Sequence, residues 1–260
     1  MNFIRSFQSE WLKKKRSLAS WLVIVGAFFT PSIILMSRIK NAGKLSAMYA
    51  SNDFWQKLWN QTWESMAVFL LPFGIILATA LIAQIEYKNN TWKQLHTTPQ
   101  RFATIFFAKF LVILIMLIEV FVLFNIGMYL SAVIPSMLFS NLPYPTAPIP
   151  YLNFLYANIN FLLDCLPILA LQYLLSLQFK NFLVPVGTGF ALWFLGVGML
   201  PWNYSYLFPY IHGTIDFLIS SNQFGNRKIP PINIQLLSVI YFALFTIASY
   251  VLYATKKEKG

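Results

Sequence analysis

From Leu18 to Ala254 the sequence alternates long apolar runs with short polar stretches, and that alternation leaves few folds open. The longest run, Phe102 to Ile134, holds only two charged residues, Lys109 and Glu119, and exceeds the ~20 residues a helix needs to cross a bilayer. Backbone in lipid must satisfy its own hydrogen bonds, so such runs are read as membrane helices. Six spans are expected, at 18–36, 65–85, 102–134, 151–179, 182–200 and 232–254. A chain of 260 residues that is 58% hydrophobic and 10% charged could not hide this apolar surface in a soluble globule. The fold class is therefore an all-α integral membrane protein, with one transmembrane domain over 1–260.

The run at 18–36 is too long for a signal-peptide core and lacks a small-residue cleavage site, so it is kept as the first span. Ahead of it, 1–17 sets Phe3, Ile4, Phe7 and Trp11 on one face, the pattern of an amphipathic interfacial helix. Tyr49, Phe54, Trp55 and Trp59 read as an interfacial aromatic belt before the second span. Pro72 and Gly74 predict a kink in that span. The third run is long enough to be tilted, broken or extended beyond the membrane, and Lys109 is expected to snorkel to the inner surface.

The prolines at 135, 143, 145, 148 and 150 predict an extended surface loop. Lys180 and Asn181 make a tight turn, so the fourth and fifth spans form an antiparallel hairpin. After Pro201, aromatics fall at every second position from Trp202 to Tyr210, and the apolar piece Ile211 to Ile219 is too short to cross. An interfacial or re-entrant segment before the last span is the natural expectation.

The net charge of +11 would point to nucleic acid in a soluble chain. Here it reports topology. With six spans, thirteen Lys and Arg lie on the side of the termini (5, 13–16, 88, 93, 101, 109, 180, 256, 257, 259) and six on the other (38, 40, 44, 57, 227, 228). Both termini, and the polar stretch 86–101 between spans two and three, are thus expected in the cytoplasm, with no nucleic-acid partner.

No phosphate-binding loop, H-E-x-x-H or C-x-x-C pattern occurs, and His96 and His212 fall on opposite sides of the expected membrane. Catalytic residues, cofactor-binding residues and a metal site are therefore expected to be none. Cys165 reads as a small buried hydrophobe, and Gly187, Gly189, Gly196 and Gly198 as close helix packing.

Two buried acids stand out. Glu119 and Asp164 sit ~22 Å and ~20 Å from the outer ends of their spans at helical rise. Two readings stay open: a substrate pathway in which both acids face one cavity, or acids that are protonated or hydrogen-bonded to interior polar groups such as Asn125, Asn158, Asn160 or Gln172. The first would suit a proton-coupled secondary carrier or a membrane-embedded enzyme.

An amphipathic helix carrying Glu10, Trp11 and Lys13 to Lys15 precedes the first span. The second span leads into Glu86, Thr91-Trp92-Lys93, Leu95 and Pro99 and on to a span carrying Lys109. This arrangement resembles permease subunits of ABC-2 type exporters, nearest the bacteriocin, lantibiotic and bacitracin immunity branch. The resemblance implies a six-span permease of the bacterial cytoplasmic membrane, paired with a second permease chain, same or homologous, and two copies of an ABC ATPase subunit that bind ATP and Mg. It implies a cytoplasmic coupling helix at 86–101 that contacts the ATPase through Glu86, Thr91, Trp92, Lys93, Leu95 and Pro99, with Glu10 and Trp11 beside it. Its cargo would be a peptide antibiotic or another amphiphile taken from the membrane. The Pro-rich 135–150 loop departs from the general pattern.

Overall fold

Apolar runs that must pair their own backbone groups give helices, and the computed structural model describes residues 3–15, 17–88, 101–225 and 229–255 as helices and turns, with no strand among them. The helices are α1 (Phe3–Lys15), α2 (Leu18–Lys40), α3 (Ser46–Tyr49), α4 (Phe54–Ser65), α5 (Leu71–Lys88), α6 (Phe102–Leu138), α7 (Tyr151–Gln178), α8 (Leu183–Met199), α9 (His212–Ser220) and α10 (Ile234–Thr255). A π-helical segment, Met66–Leu70, joins α4 to α5 in one continuous rod. Among the described residues, five stretches are long and apolar enough to cross a membrane: Leu18–Lys40, Phe54–Ile85, Phe102–Leu138, Tyr151–Gln178 and Ile234–Thr255. Leu183–Met199 is a shorter apolar helix.

The most extensive helix pair is α7 with α10, followed by α2 with α6. Between α6 and α7, Asn125 and Asn158 exchange side-chain hydrogen bonds and so set the antiparallel register. The break between α1 and α2 is closed by serines: the Ser17 and Ser20 hydroxyls both donate to the Lys14 carbonyl at 2.7 Å. These take up an acceptor that the end of α1 leaves without an intrahelical donor.

Two sequence expectations are corrected here. The aromatics Tyr49, Phe54, Trp55 and Trp59 are not a lipid-facing belt; all four are buried. They pack under the Pro-rich loop, where the Trp55 indole donates to the Ala147 carbonyl at 2.9 Å and Trp59 stacks on Phe154. A folded cap of helix and loop buries aromatic surface that an interfacial belt would leave exposed. The helix of the third run also continues through Pro135 to Leu138, so the loop begins later than the prolines suggested.

Prolines within the helices leave carbonyls that other side chains take. Pro72 has no N–H for the carbonyl of Val68 four residues back; the Trp193 indole donates to that carbonyl at 2.9 Å. Pro135 likewise cannot pair with Ser131, whose carbonyl receives the Arg38 guanidinium at 3.4 Å. Arg38 itself is buried against the faces of Tyr49 and Phe54. The kink expected at Pro72 thus takes the form of the π segment just before it, where a wider turn frees carbonyls for partners. The Thr214 hydroxyl of α9 uses another, that of Ala67, at 3.4 Å.

Candidate functional site

The buried stripe of α1 is polar. Ser6, Glu10 and Lys14, four residues apart, face the protein, while Phe3, Ile4 and Leu12 are exposed. They meet the two charges of α6. Glu10 pairs with Lys109 at 3.4 Å and with Lys13, and Lys14 pairs with Glu119. Lys109 therefore does not snorkel to the surface; it is 2% exposed and held by Glu10. A charged pair in its own seam satisfies the ammonium without a long reach to water. Burial pushes the Glu10 carboxyl up, but Lys109 and then Lys13 beside it outweigh that effect and hold it below the ordinary carboxylate range. Trp11 lies beneath the Lys14 ammonium, 4.2 Å from its ring centre.

The helix ends that flank 89–100 are both tied to α7. The Tyr87 hydroxyl donates to the Leu177 carbonyl at 2.9 Å, and the Tyr173 hydroxyl donates to the Phe106 carbonyl at 3.0 Å. Of the residues expected to contact an ATPase, Glu86 lies in the last turn of α5. Thr91, Trp92, Lys93, Leu95 and Pro99 lie outside the described residues.

Glu119 and Asp164 match in height but are turned apart. Each lies six residues from the Asn125–Asn158 contact, in opposite chain directions along antiparallel helices, so the heights agree. Six residues at 100° each also rotate both side chains ~120° off that seam. Glu119, a third exposed, points to Lys14 of α1. Asp164, fully buried, points to α10, where the Ser238 hydroxyl lies 3.3 Å from its Oδ1. The two acids are held by different partners.

Around Asp164 the structure gathers residues that sequence reasoning passed over. His212 Nδ1 is 2.6 Å from Ser238 Oγ, and its Nε2 is 2.8 Å from the Tyr206 carbonyl. Asp216 and the Gln235 amide stand beside Asp164 as well. His212 was set aside in the sequence because it cannot share a metal with His96. Its position at the start of the short apolar piece, ten residues before the polar stretch, gave no sign that α9 folds back between α7 and α10.

A cavity of about 90 Å³ lies between α2, α5 and α6, lined by Leu22, Gly26, Met66, Gly74, Met116 and Leu169 among others. Its wall is almost wholly apolar, so it accepts methylene groups and disfavours charge. Two of the four glycines of α8 serve close packing. A Cβ at Gly189 would lie 2.0 Å from the Gln172 amide nitrogen, and one at Gly196 2.8 Å from Phe208 and Ile211. Gly187 and Gly198 have open space around them.

Residues 6–196, most of the chain, match the family model described as ABC-2 family transporter protein. No curated protein matches the chain.

Proposed function

The chain belongs to the ABC-2 family of transporter proteins, and on that premise we propose that it is the six-span permease subunit of an ATP-driven exporter. The family implies association with an ABC ATPase, which would supply the nucleotide chemistry that this sequence lacks. In this reading Leu183–Met199 is the sixth crossing helix, slightly short and accommodated by local thinning or by the residues that flank it. Both termini and the segment 86–101 face the cytoplasm of a bacterial cell, on the strength of the basic-residue bias. Two ATPase copies and a second permease chain complete the transporter.

The observation that carries the reading is the pair of ties to α7. A partner that pushes on 89–100 moves the ends of α5 and α6, and Tyr87–Leu177 and Tyr173–Phe106 deliver both displacements to the same helix. From α6 the ion pairs with Glu10 and Lys14 carry the movement to α1 and thence to the first span. ATP binding on the partner would in this way shift the bundle between two packings. Glu86, Thr91, Trp92, Lys93, Leu95 and Pro99 form the contact, and Glu10 and Trp11 set the helix beside it. The apolar cavity suits the hydrocarbon part of an amphiphile, in keeping with a membrane-extracted peptide antibiotic as cargo.

The test is co-purification with an ABC ATPase encoded beside this gene, followed by ATPase assays in lipid. Trp92→Ala and Glu86→Gln are expected to insert normally and to lose stimulated hydrolysis. Absence of any ATPase partner, or undiminished coupling in both variants, would overturn the assignment.

A further inference from the structure

The three side chains Asp164, Ser238 and His212 are each essentially inaccessible to solvent, and they join three elements. Asp164 belongs to α7, Ser238 to α10 and His212 to α9. The arrangement is not that of a hydrolase. In a nucleophilic triad the histidine stands between serine and acid, whereas here the serine stands between the other two and the remaining imidazole nitrogen faces a backbone carbonyl.

Counting protons along the chain shows what it needs. The Tyr206 carbonyl can only accept, so His212 Nε2 carries a hydrogen. In a neutral imidazole Nδ1 then has only a lone pair and must receive the Ser238 hydroxyl hydrogen. Ser238 has no second hydrogen for Asp164, so the carboxyl must bring its own and donate to Ser238 Oγ. The alternative arrangement reverses both bonds: His212 doubly protonated donates from Nδ1 to Ser238, and Ser238 donates to an ionised Asp164. Both arrangements hold the same number of hydrogens. Remove one, and the Asp164–Ser238, the Ser238–His212 or the His212–Tyr206 contact becomes acceptor against acceptor. A buried contact of that kind is strongly unfavourable.

We propose that Asp164, Ser238 and His212 are a proton-binding site, whose single shared proton is required to keep α9 fastened to α7 and α10. The proton moves between Asp164 and His212 by reversal of the two hydrogen bonds, with no net gain or loss within the chain. The other groups that face the site are Asp216 of α9, Cys165 of α7, the Gln235 amide and the Tyr241 ring of α10, the last 5.9 Å from the imidazole. Asp216 and Gln235 are only partly buried. The proton is the cation that this chain of donors and acceptors fits. The inference stands on the fold and holds whether or not the chain serves an exporter.

Infrared spectroscopy and hydrogen exchange on the full-length chain in lipid nanodiscs test it. At neutral pH the wild-type protein should show the carbonyl stretch of a protonated carboxylic acid that Asp164→Asn abolishes and Asp216→Asn and Glu119→Gln retain. As pH is raised, the protection factor of the amides over 212–220, taken relative to their base-catalysed intrinsic rate, should fall about tenfold in the step that removes this band, the loss of one hydrogen bond. An asparagine amide donates to Ser238 at every pH, so Asp164→Asn should keep α9 protected and abolish the pH step. Ser238→Ala, which deletes only a hydroxyl, should expose α9 at all pH values. The proposal is overturned by absence of both this band and an imidazolium ring mode that His212→Gln abolishes, by persistence of the band in Asp164→Asn, or by wild-type protection of α9 in Ser238→Ala.

Discussion

Lys109 and Glu10 approach to 3.4 Å across the α1–α6 seam, both almost wholly buried, and this contact makes the N-terminal helix part of the bundle. An apolar residue at 109 would leave Glu10 with Lys13 alone, and Lys13 is the more exposed of the two partners. Lys109→Met is expected to destabilise the protein by about 3 kcal/mol, the cost of leaving one member of a buried pair uncompensated. Glu10→Gln combined with Lys109→Met should cost clearly less than the sum of the single changes, since neither charge is then stranded. Thermal unfolding in detergent with a double-mutant cycle measures both quantities; strict additivity would show that the contact has no energetic weight.

The same pair gives a pH dependence of known sign. The folded Glu10 carboxyl is held below the ordinary glutamate value of 4.5, so its contribution is complete above that value and is lost as pH falls through the lower folded value. Protection of the amides over 3–15, relative to their intrinsic exchange rate, should therefore hold down to about pH 4.5 and fall below it. In Lys109→Met the protection should be weaker at neutral pH and the acid step smaller.

The division between what the sequence revealed and what it did not follows from the range of each interaction. Run length and composition fixed the apolar helices, because a bilayer-spanning helix is decided within its own ~20 residues. A helix irregularity beside Pro72 was legible for the same local reason; of the α8 glycines read as close packing, Gly189 and Gly196 meet neighbours while Gly187 and Gly198 face open space. Depth was legible too: helical rise alone placed Glu119 and Asp164 at one height. Azimuth was not, because the face a residue presents depends on which helix lies opposite, and that is a property of assembly. Hence Glu119 and Asp164 diverge, Lys109 is buried against the polar stripe of α1 rather than at the surface, and His212 lies next to Ser238 although 26 residues separate them in sequence.

Trp193 and Pro72 provide a test of the π segment that needs no knowledge of cargo. Trp193→Phe keeps an aromatic ring and removes the donor to the half-buried Val68 carbonyl; a loss of about 1 kcal/mol is expected. Pro72→Ala restores an N–H four residues beyond Val68. Adding it to Trp193→Phe should recover much of the stability by returning the carbonyl to the helix ladder. If Pro72→Ala brings no recovery, the indole is acting through ring packing on Phe69 and Phe190.

The glycines of α8 separate contact from composition. Gly189→Ala places a methyl against the Gln172 amide, which donates to the Tyr210 hydroxyl at 2.6 Å, and should lower stability by about 1–3 kcal/mol. Gly196→Ala meets Phe208 and Ile211 and should behave alike. Gly187→Ala and Gly198→Ala enter open space and should be neutral or stabilising by about 0.5–1 kcal/mol through helix propensity. Chromatographic thermostability of the four variants ranks them directly.

Tyr87→Phe addresses coupling at its narrowest point. The change removes one hydroxyl, whose hydrogen bond to Leu177 holds the end of α5 to α7, and leaves the ring in place. Membrane insertion, expression and ATPase binding should be preserved, because the segment 89–100 is untouched. Cargo-stimulated hydrolysis should fall about tenfold while basal hydrolysis is unchanged, since the partner can still cycle but its displacement no longer reaches α7 rigidly. Tyr173→Phe cuts the corresponding tie of α6 and should act in the same direction. Joint replacement should then add little to either single change, as expected when both ties feed one helix. Additive losses would instead mean that α5 and α6 signal separately, and α7 would cease to be the element on which they converge.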